Sequence, residues 1–389
     1  MPELHLHTPA LTIAIALAAG VIAQGVARHV RIPGIVLLLG CGVLLGPDVL
    51  HVISPERLGG ALGDLVGFAV AVILFEGGLN LDWRRLRREA VVIRRLVLLG
   101  AVVTAVLAAP LARYALGWSW PQSLLFGTLV VVTGPTVITP LLRRVRIRRR
   151  LETVLTAEGV LIDAVGAVLA VVALEVVLSP GSGQLPVAAM DLASRIGFGL
   201  VVGVPAGFGL AGLLRVRRLV PEGLESIFAL SVALLLYQGA NAFIHESGLV
   251  AVIAAGIVLG NSQSPIDREM KEFKERLTVL LIGLLFVLLA ADVRLADVLS
   301  LGYGALVVVA ALVFVIRPVS VALCTAGTEL RWQERSLLAW VAPRGIVAAF
   351  VSSLFAERLA ANDIPGGSEL RAMVFLVIVA TVVLQGPTV

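Results

Sequence analysis

The run VVTGPTVITP, residues 131–140, decides how this chain is read. It lies inside a long apolar stretch, yet Gly134 and Pro135 stand in its middle. In hydrocarbon every backbone N–H and C=O must find a partner within the protein, so a helix break is kept only where protein or a water-filled cavity meets the freed groups. The composition around the run places it at membrane depth. Of 389 residues, 59% are hydrophobic and 15% charged, against about 25% charged in soluble domains, and the mean hydropathy is +1.00. Apolar runs of about 17 to 25 residues recur, divided by short Arg-, Gly- or Pro-rich intervals, as expected of α-helices crossing a hydrocarbon core about 30 Å thick. The short alternating segments of a membrane β-barrel are absent from the sequence.

Working outward from this run, the punctuation predicts about thirteen spans, an all-α polytopic membrane protein. They fall at roughly 8–27, 32–50, 58–79, 92–116, 120–142, 151–178, 186–214, 222–240, 245–261, 276–291, 299–327, 334–356 and 370 to the end. The apolar stretch 222–261 is too long for one span and is divided at NAFIHESG. Arginine placement tests the division independently, because cytoplasmic loops hold the excess of Lys and Arg. Loops after odd-numbered spans carry RHVR, RRLRREAVVIRR, LLRRVRIRRR, RVRR, DREMKEFKER and RWQER, together 23 of the 31 basic residues. Arg57, Arg113, Arg195, Arg294, Arg358 and Arg371 follow even-numbered spans. This alternation puts the N-terminus outside and the C-terminus in the cytoplasm. It also accounts for the net charge of +5, so no nucleic-acid partner is implied.

The N-terminal run lacks a basic leader and a small-residue cleavage site, and is expected to stay as the first span. The final MVFLVIVATVVLQGPTV has no charged stop, and a cytoplasmic tail is expected beyond residue 389. Cys41 and Cys324 sit in apolar runs without a partner at motif spacing and read as small hydrophobes. The five histidines form no metal-ligand pattern, and neither G-x-x-x-x-G-K-[ST] nor H-E-x-x-H occurs, so no cofactor is expected.

A second break, Pro343-Arg344-Gly345, interrupts the twelfth span within VAPRGIVAA. With two six-span repeats around a seventh helix, the fifth and twelfth spans correspond. Paired interruptions at corresponding positions point to the binding site of a secondary transporter. The sixth span adds two carboxylates at depth, Glu158 and Asp163. An ionised Asp at the bilayer centre costs ~2.5 to 3.5 kcal/mol on insertion scales, so it is seldom there without a function or a partner. Five residues along a helix give about 140° of rotation and about 7.5 Å of rise. The two carboxylates therefore face different points and divide their work, one carrying an ion and the other held by a protein cation. Arg317, in FVIRPVS of the eleventh span, is the partner expected for Glu158. Removing it would strand a buried charge at ~3 to 5 kcal/mol. Arg344 would supply fixed positive charge where half-helix ends meet. Glu76, Asp64 and Glu175 lie nearer span ends and read as structural or vestibule residues, and the glycines of VGFAVAVILFEGG and FGLVVGVPAGFGLAGLL read as packing points.

These residues resemble the monovalent cation:proton antiporters of the NhaP and sodium/hydrogen exchanger type. RIPGIVLLLGCGVLLGP is similar to their second span, LFEGGLNLDWRRLR to the end of their third and SGLVAVIAAGIVLGN to their ninth; the fifth-span break resembles their T-D-P motif and VAPRGIVAA their P-R-G motif. EGVLID carries the acid pair of E-S-x-x-N-D at the same spacing. The resemblance covers nearly the whole chain, in order. It implies NhaA-like inverted repeats with the fifth and twelfth spans crossing as broken helices. It further implies a homodimer, with a core domain of about 92–178 and 276–356 and a dimerisation domain from the first to third and seventh to ninth spans. By position, Asp163 is the ion-binding aspartate, and the implied ion- and proton-binding set is Asp163, Thr133, Glu158, Gly134 and Thr136, with Glu158–Arg317 as a structural pair and Arg344 as the charge of the second break. Three positions depart from the family: Gly134 stands for Asp, Ile162 for Asn and Gly159 for Ser.

The expected function is exchange of a monovalent cation (Na+, or K+, with Li+ as a further substrate) for H+, one for one and electroneutral, by alternating access around Asp163. The setting is the lipid bilayer, as a multi-pass protein of the bacterial inner (cell) membrane serving pH homeostasis. A K+/H+ antiporter, or a channel or sensor derived from the same fold, is the alternative. An intramembrane aspartyl protease would need two facing carboxylates, which Glu158 and Asp163 are not.

Overall fold

The computed structural model describes residues 8–30, 32–142, 147–178, 184–216, 220, 221, 223–262 and 268–388. It is all-α, with no strand among these residues. In chain order the helices are α1 Pro9–Val30, α2 Gly34–Leu45, α3 Gly60–Leu79, α4 Trp83–Arg88, α5 Ala90–Leu116, α6 Trp120–Leu129, α7 Pro135–Leu142, α8 Arg149–Leu178 and α9 Gln184–Leu213. They continue with α10 Glu225–Phe243, α11 Ser247–Asn261, α12 Arg268–Ala291, α13 Leu295–Ser300, α14 Gly302–Ala311, α15 Arg317–Cys324, α16 Trp332–Trp340, α17 Ile346–Ala361 and α18 Gly367–Thr388. Among the described residues eight helical stretches are long and apolar enough to cross a membrane: α1, α3, α5, α8, α9, α10, the α14–α15 rod and α18. Helices α2 and α11 are apolar but shorter. Large apolar side chains such as Ile22, Val201, Leu235 and Phe243 point outward, as lipid contact requires. The molecule is thus an integral, multi-pass membrane protein.

The helices pack in two groups. In one, α11 lies against α9, α3 and α10, and α12 lies against α1, α2 and α3. In the other, α5 packs on α6, α8, α14 and α15, while α17 packs on α18 and α8. Small residues set the closest approaches, because lipid tails give apolar helices no hydrophobic reason to associate and contact area must come from close packing. Gly199, Gly203 and Gly207 repeat every fourth residue of α9 against the α11 backbone, and a Cβ on Gly203 would stand 2.3 Å from the Ala251 carbonyl oxygen. In α8, 18 residues from Leu151 to Leu174 are buried, making it a central post of the bundle.

The α14–α15 rod contains a π turn at Leu312–Ile316. Pro318 has no N–H to give the Phe314 carbonyl, and its ring would crowd that carbonyl in a regular α-turn. Widening the turn relieves the clash, and the Arg317 N–H then bonds to the Leu312 carbonyl five residues back.

Candidate functional site

Residues 130–134 are non-helical between α6 and α7, and Pro135 begins α7, the position where its missing N–H is unused. Residues 341–345 similarly separate α16 from α17. The two breaks touch through their backbones. The Gly134 N–H donates to the Pro343 carbonyl at 3.0 Å, and a Cβ on Gly134 would fall 2.3 Å from Gly345 Cα. No residue but glycine fits at this contact. Gly134 also accepts from the Val137 and Ile138 N–H groups. Its backbone groups are engaged, so it shapes the site rather than offering a ligand atom.

Each break leaves a half-helix whose last carbonyls lack partners and carry partial negative charge. An arginine meets each of them. Arg344 donates through Nη1 to the Val131 and Val132 carbonyls at 3.2 and 3.3 Å, just past the end of α6. Arg317 donates through Nε and Nη2 to the Leu338 carbonyl at 3.2 and 3.0 Å, in the last turn of α16. The same Arg317 grips Glu158 with both nitrogens, Nη1 to Oε1 at 2.6 Å and Nη2 to Oε2 at 3.0 Å. This fork leaves Glu158 neutralised and geometrically fixed.

Asp163 has a different environment. Like Glu158 it is 2% exposed, but its Oδ1 has no hydrogen-bond partner among the described residues. Gly159, Asp163 and Gly166 share one face of α8 by their four- and three-residue spacing. That face packs on the first break: a Cβ on Gly159 would lie 3.2 Å from Pro135 Cα, and one on Gly166 would lie 2.4 Å from Val132 Cγ2. The absence of side chains at 159 and 166 brings the break close enough for Asp163 to sit beside it. The hydroxyls of Thr133 and Thr136 and Nε of Arg344 are also buried without partners among the described residues. Among the described residues, three hard oxygen donors are thus left uncommitted on the first break and the α8 face packed against it, a donor set that suits a monovalent cation whose hydration shell must be replaced.

A cavity of about 590 Å³ leads towards this place. It runs between α1, α3 and α12 on one side and α7, α8 and α18 on the other, with Glu76, Glu152, Thr278, Thr156, Val160 and Thr136 in its wall. Thr278 donates its hydroxyl to Glu76, so Glu76 belongs to the wall of this vestibule. Glu175 lies elsewhere, gripped by Arg195 Nη2 at 2.7 and 2.8 Å.

Residues 13–389 match the family described as sodium/hydrogen exchanger, transmembrane. The chain belongs to that family. It is therefore a transporter and not an enzyme. Among its relatives, a probable Na+/H+ antiporter 2 of Methanocaldococcus jannaschii is 26% identical over 358 residues, 88% of this chain and 83% of that protein. The Na+/H+ antiporter NhaS2 of Synechocystis is 26% identical over 99% of this chain and 71% of its own length. The K+/H+ antiporter NhaP2 of Shewanella oneidensis is 25% identical over 95% of this chain, which spans 63% of that protein. The fold is that of the sodium proton antiporter MjNhaP1 from Methanocaldococcus jannaschii, with a TM-score of 0.84, 22% identity and coverage of 96% and 98% of the two chains.

Within this exchanger fold, one set of site residues escaped the sequence reading. Helix α18 supplies partners for the second break: Gln385 accepts from the Ala342 N–H at 3.1 Å, Thr381 from the Arg344 N–H at 3.3 Å, and Thr388 from Trp340 Nε1 at 3.0 Å. Positions 381, 385 and 388 form one stripe along the helix. Three polar residues at that spacing in the otherwise apolar run 372–388 were the available signal.

Proposed function

We propose that this family member exchanges a monovalent cation for a proton, one for one, without ATP. What carries the proposal is the buried Asp163 carboxylate, whose Oδ1, like the hydroxyls of Thr133 and Thr136 in the adjacent break, has no partner among the described residues. A single carboxylate there holds either H+ or one dehydrated cation, so each excursion carries one positive charge and the cycle is electroneutral. Glu158 carries no cargo, because Arg317 already neutralises it. Na+ is the preferred substrate, in keeping with the relatives named as Na+/H+ antiporters. The K+/H+ relative, together with Ile162 and Gly134 where polar ligands stood in the expected motif, supports K+ as a second reading.

The architecture of this reading has thirteen spans in two inverted repeats, the fifth (α6–α7) and twelfth (α16–α17) crossing at their breaks, and a homodimer with the N-terminus outside. The core domain takes α5 to α8 and α14 to α17. The expected core began at residue 276, but α12 packs on α1, α2 and α3, and so is assigned to the scaffold with the first to third and seventh to ninth spans. Alternating access is then movement of one group of helices past the other around Asp163.

Proteoliposomes containing a pH dye test the reading. Na+, K+ or Li+ gradients are expected to drive proton movement in the opposite direction, unaffected by clamping the membrane potential. Flux that follows voltage and ignores pH would identify a channel instead.

A further inference from the structure

The cavity marks a seam between the two groups of helices, open at one end. The other end of the same seam is tied shut. Asp292, the residue following α12, accepts through Oδ2 from the Ser353 hydroxyl of α17 and from Arg371 Nη1 of α18, both at 2.9 Å. On α12 the cavity is lined by Glu275, Thr278, Val279 and Ile282, and Asp292 lies ten residues past Ile282, about 15 Å further along the helix. On α18 the cavity is lined by Val382 and Gly386, and Arg371 lies eleven residues before Val382, about 16 Å away in the same direction. Two independent helices thus place the cluster at the end opposite the cavity. The Asp292 side chain is 8% exposed, so its charge is held almost entirely by these two partners, and loss of either leaves a carboxylate with little access to water.

We propose that Asp292, Ser353 and Arg371 form the latch that closes the seam opposite the cavity, and that its release accompanies opening of the site to that side. The proposal rests on the alternating-access reading above. Asp292 directly follows a helix packed mainly on α1, α2 and α3, whereas Ser353 and Arg371 belong to α17 and α18, which pack on each other and reach α8 and α6. The two bonds therefore cross the boundary along which the groups must slide. Arg371 also lines a shallow hollow with Glu357 and Asp363, which gives water a path to the latch from its own end. Two charge-assisted bonds converging on one carboxylate oxygen hold one state against the other without contacting the transported ion. These are positioning residues, not ligands.

The test measures maleimide labelling of single cysteines in detergent, in a background with Cys41 and Cys324 replaced by alanine. Val293→Cys, beside Asp292 and 7% exposed, reports the latched end without altering the latch, and Val279→Cys reports the cavity. Asp292→Asn is expected to raise labelling at the first site about threefold or more and to lower it at the second, because closing one end accompanies opening the other. Arg371→Gln should do the same, and Asp292→Glu should restore much of the original ratio. Labelling that stays unchanged at both sites overturns the latch, as does labelling that rises at both, which would report general loosening. If Asp292→Asn fails to fold, Arg371→Gln decides the matter by the same two readings. Cation-driven proton flux in the unaltered protein is measured alongside: its absence would defeat the antiport reading, while the opposed labelling changes would still decide the latch.

Discussion

Glu158 and Asp163 are both carboxylates, both 2% exposed and five residues apart on α8, yet their surroundings are opposites. Glu158 faces a guanidinium that grips both its oxygens and also meets the end of α16. Asp163 faces a helix break whose hydroxyls, like its own Oδ1, have no committed partner among the described residues. The contrast separates structure from transport. A buried charge with every bond satisfied holds the bundle together and exchanges nothing; one left short of partners can accept a partner from solution.

The sharpest way to break that contrast is Asp163→Asn. It should lower cation-driven proton flux by about a hundredfold or more, since no titrating group remains at the exchange position. Its thermal midpoint should stay level or rise, because a neutral amide is cheaper to bury than a carboxylate. Retained exchange in proteoliposomes would remove Asp163 from the mechanism.

Glu158→Gln should give the reverse pattern, a destabilisation of about 3 to 5 kcal/mol from the stranded Arg317 charge. Combining it with Arg317→Met should recover a good part of the loss, since an apolar pair needs no counter-charge. Denaturation of the single and double variants in detergent measures both, and a stable single variant would mean that the pair holds nothing.

Gly134→Ala tests the contact that lets the two environments adjoin. A methyl group 2.3 Å from Gly345 Cα must push the breaks apart. Overpacking of this kind costs about 1 to 3 kcal/mol. Exchange should fall more than stability does, because the spacing around Asp163 changes with it. A variant with unaltered rate would show that the spacing is not critical.

The smallest effect comes from a carboxylate that is partnered but wet. Asp48, in the turn beyond α2, accepts from the Leu295 N–H at 2.6 Å and from Arg294 Nη1 at 3.1 Å. The Leu295 N–H foremost, with Arg294, holds its carboxyl below the usual carboxylate range. A lowered folded-state pKa means that the contribution is present above the ordinary value of about 3.9 and is lost as pH falls through the lowered one. Asp48→Asn should therefore lower the thermal midpoint slightly at neutral pH, and the deficit should close in acid. A deficit independent of pH would mean that packing, not charge, is responsible.

Much of this was legible along the chain. Hydropathy exposed the apolar runs, and Gly134-Pro135 and Pro343-Arg344-Gly345 announced the breaks, since glycine and proline act on their own backbone. The depth of Glu158 and Asp163 and their rotation on one helix followed from spacing alone, and the need for a cation such as Arg317 followed from the cost of a lone buried charge. What could not be read there were the partners that packing chooses. Gly134 appeared as a lost ligand and proved to be the point where two backbones touch. Arg344 reaches carbonyls more than two hundred residues away in sequence, and Thr381 and Gln385 serve a break on a different helix. The sequence by itself determined which segments enter the membrane, where they break and which charges go with them, because those are properties of local composition and local geometry. Only the tertiary structure decided which charge is satisfied and which is left open, because that depends on what each buried group meets once water has been removed and distant helices stand in its place.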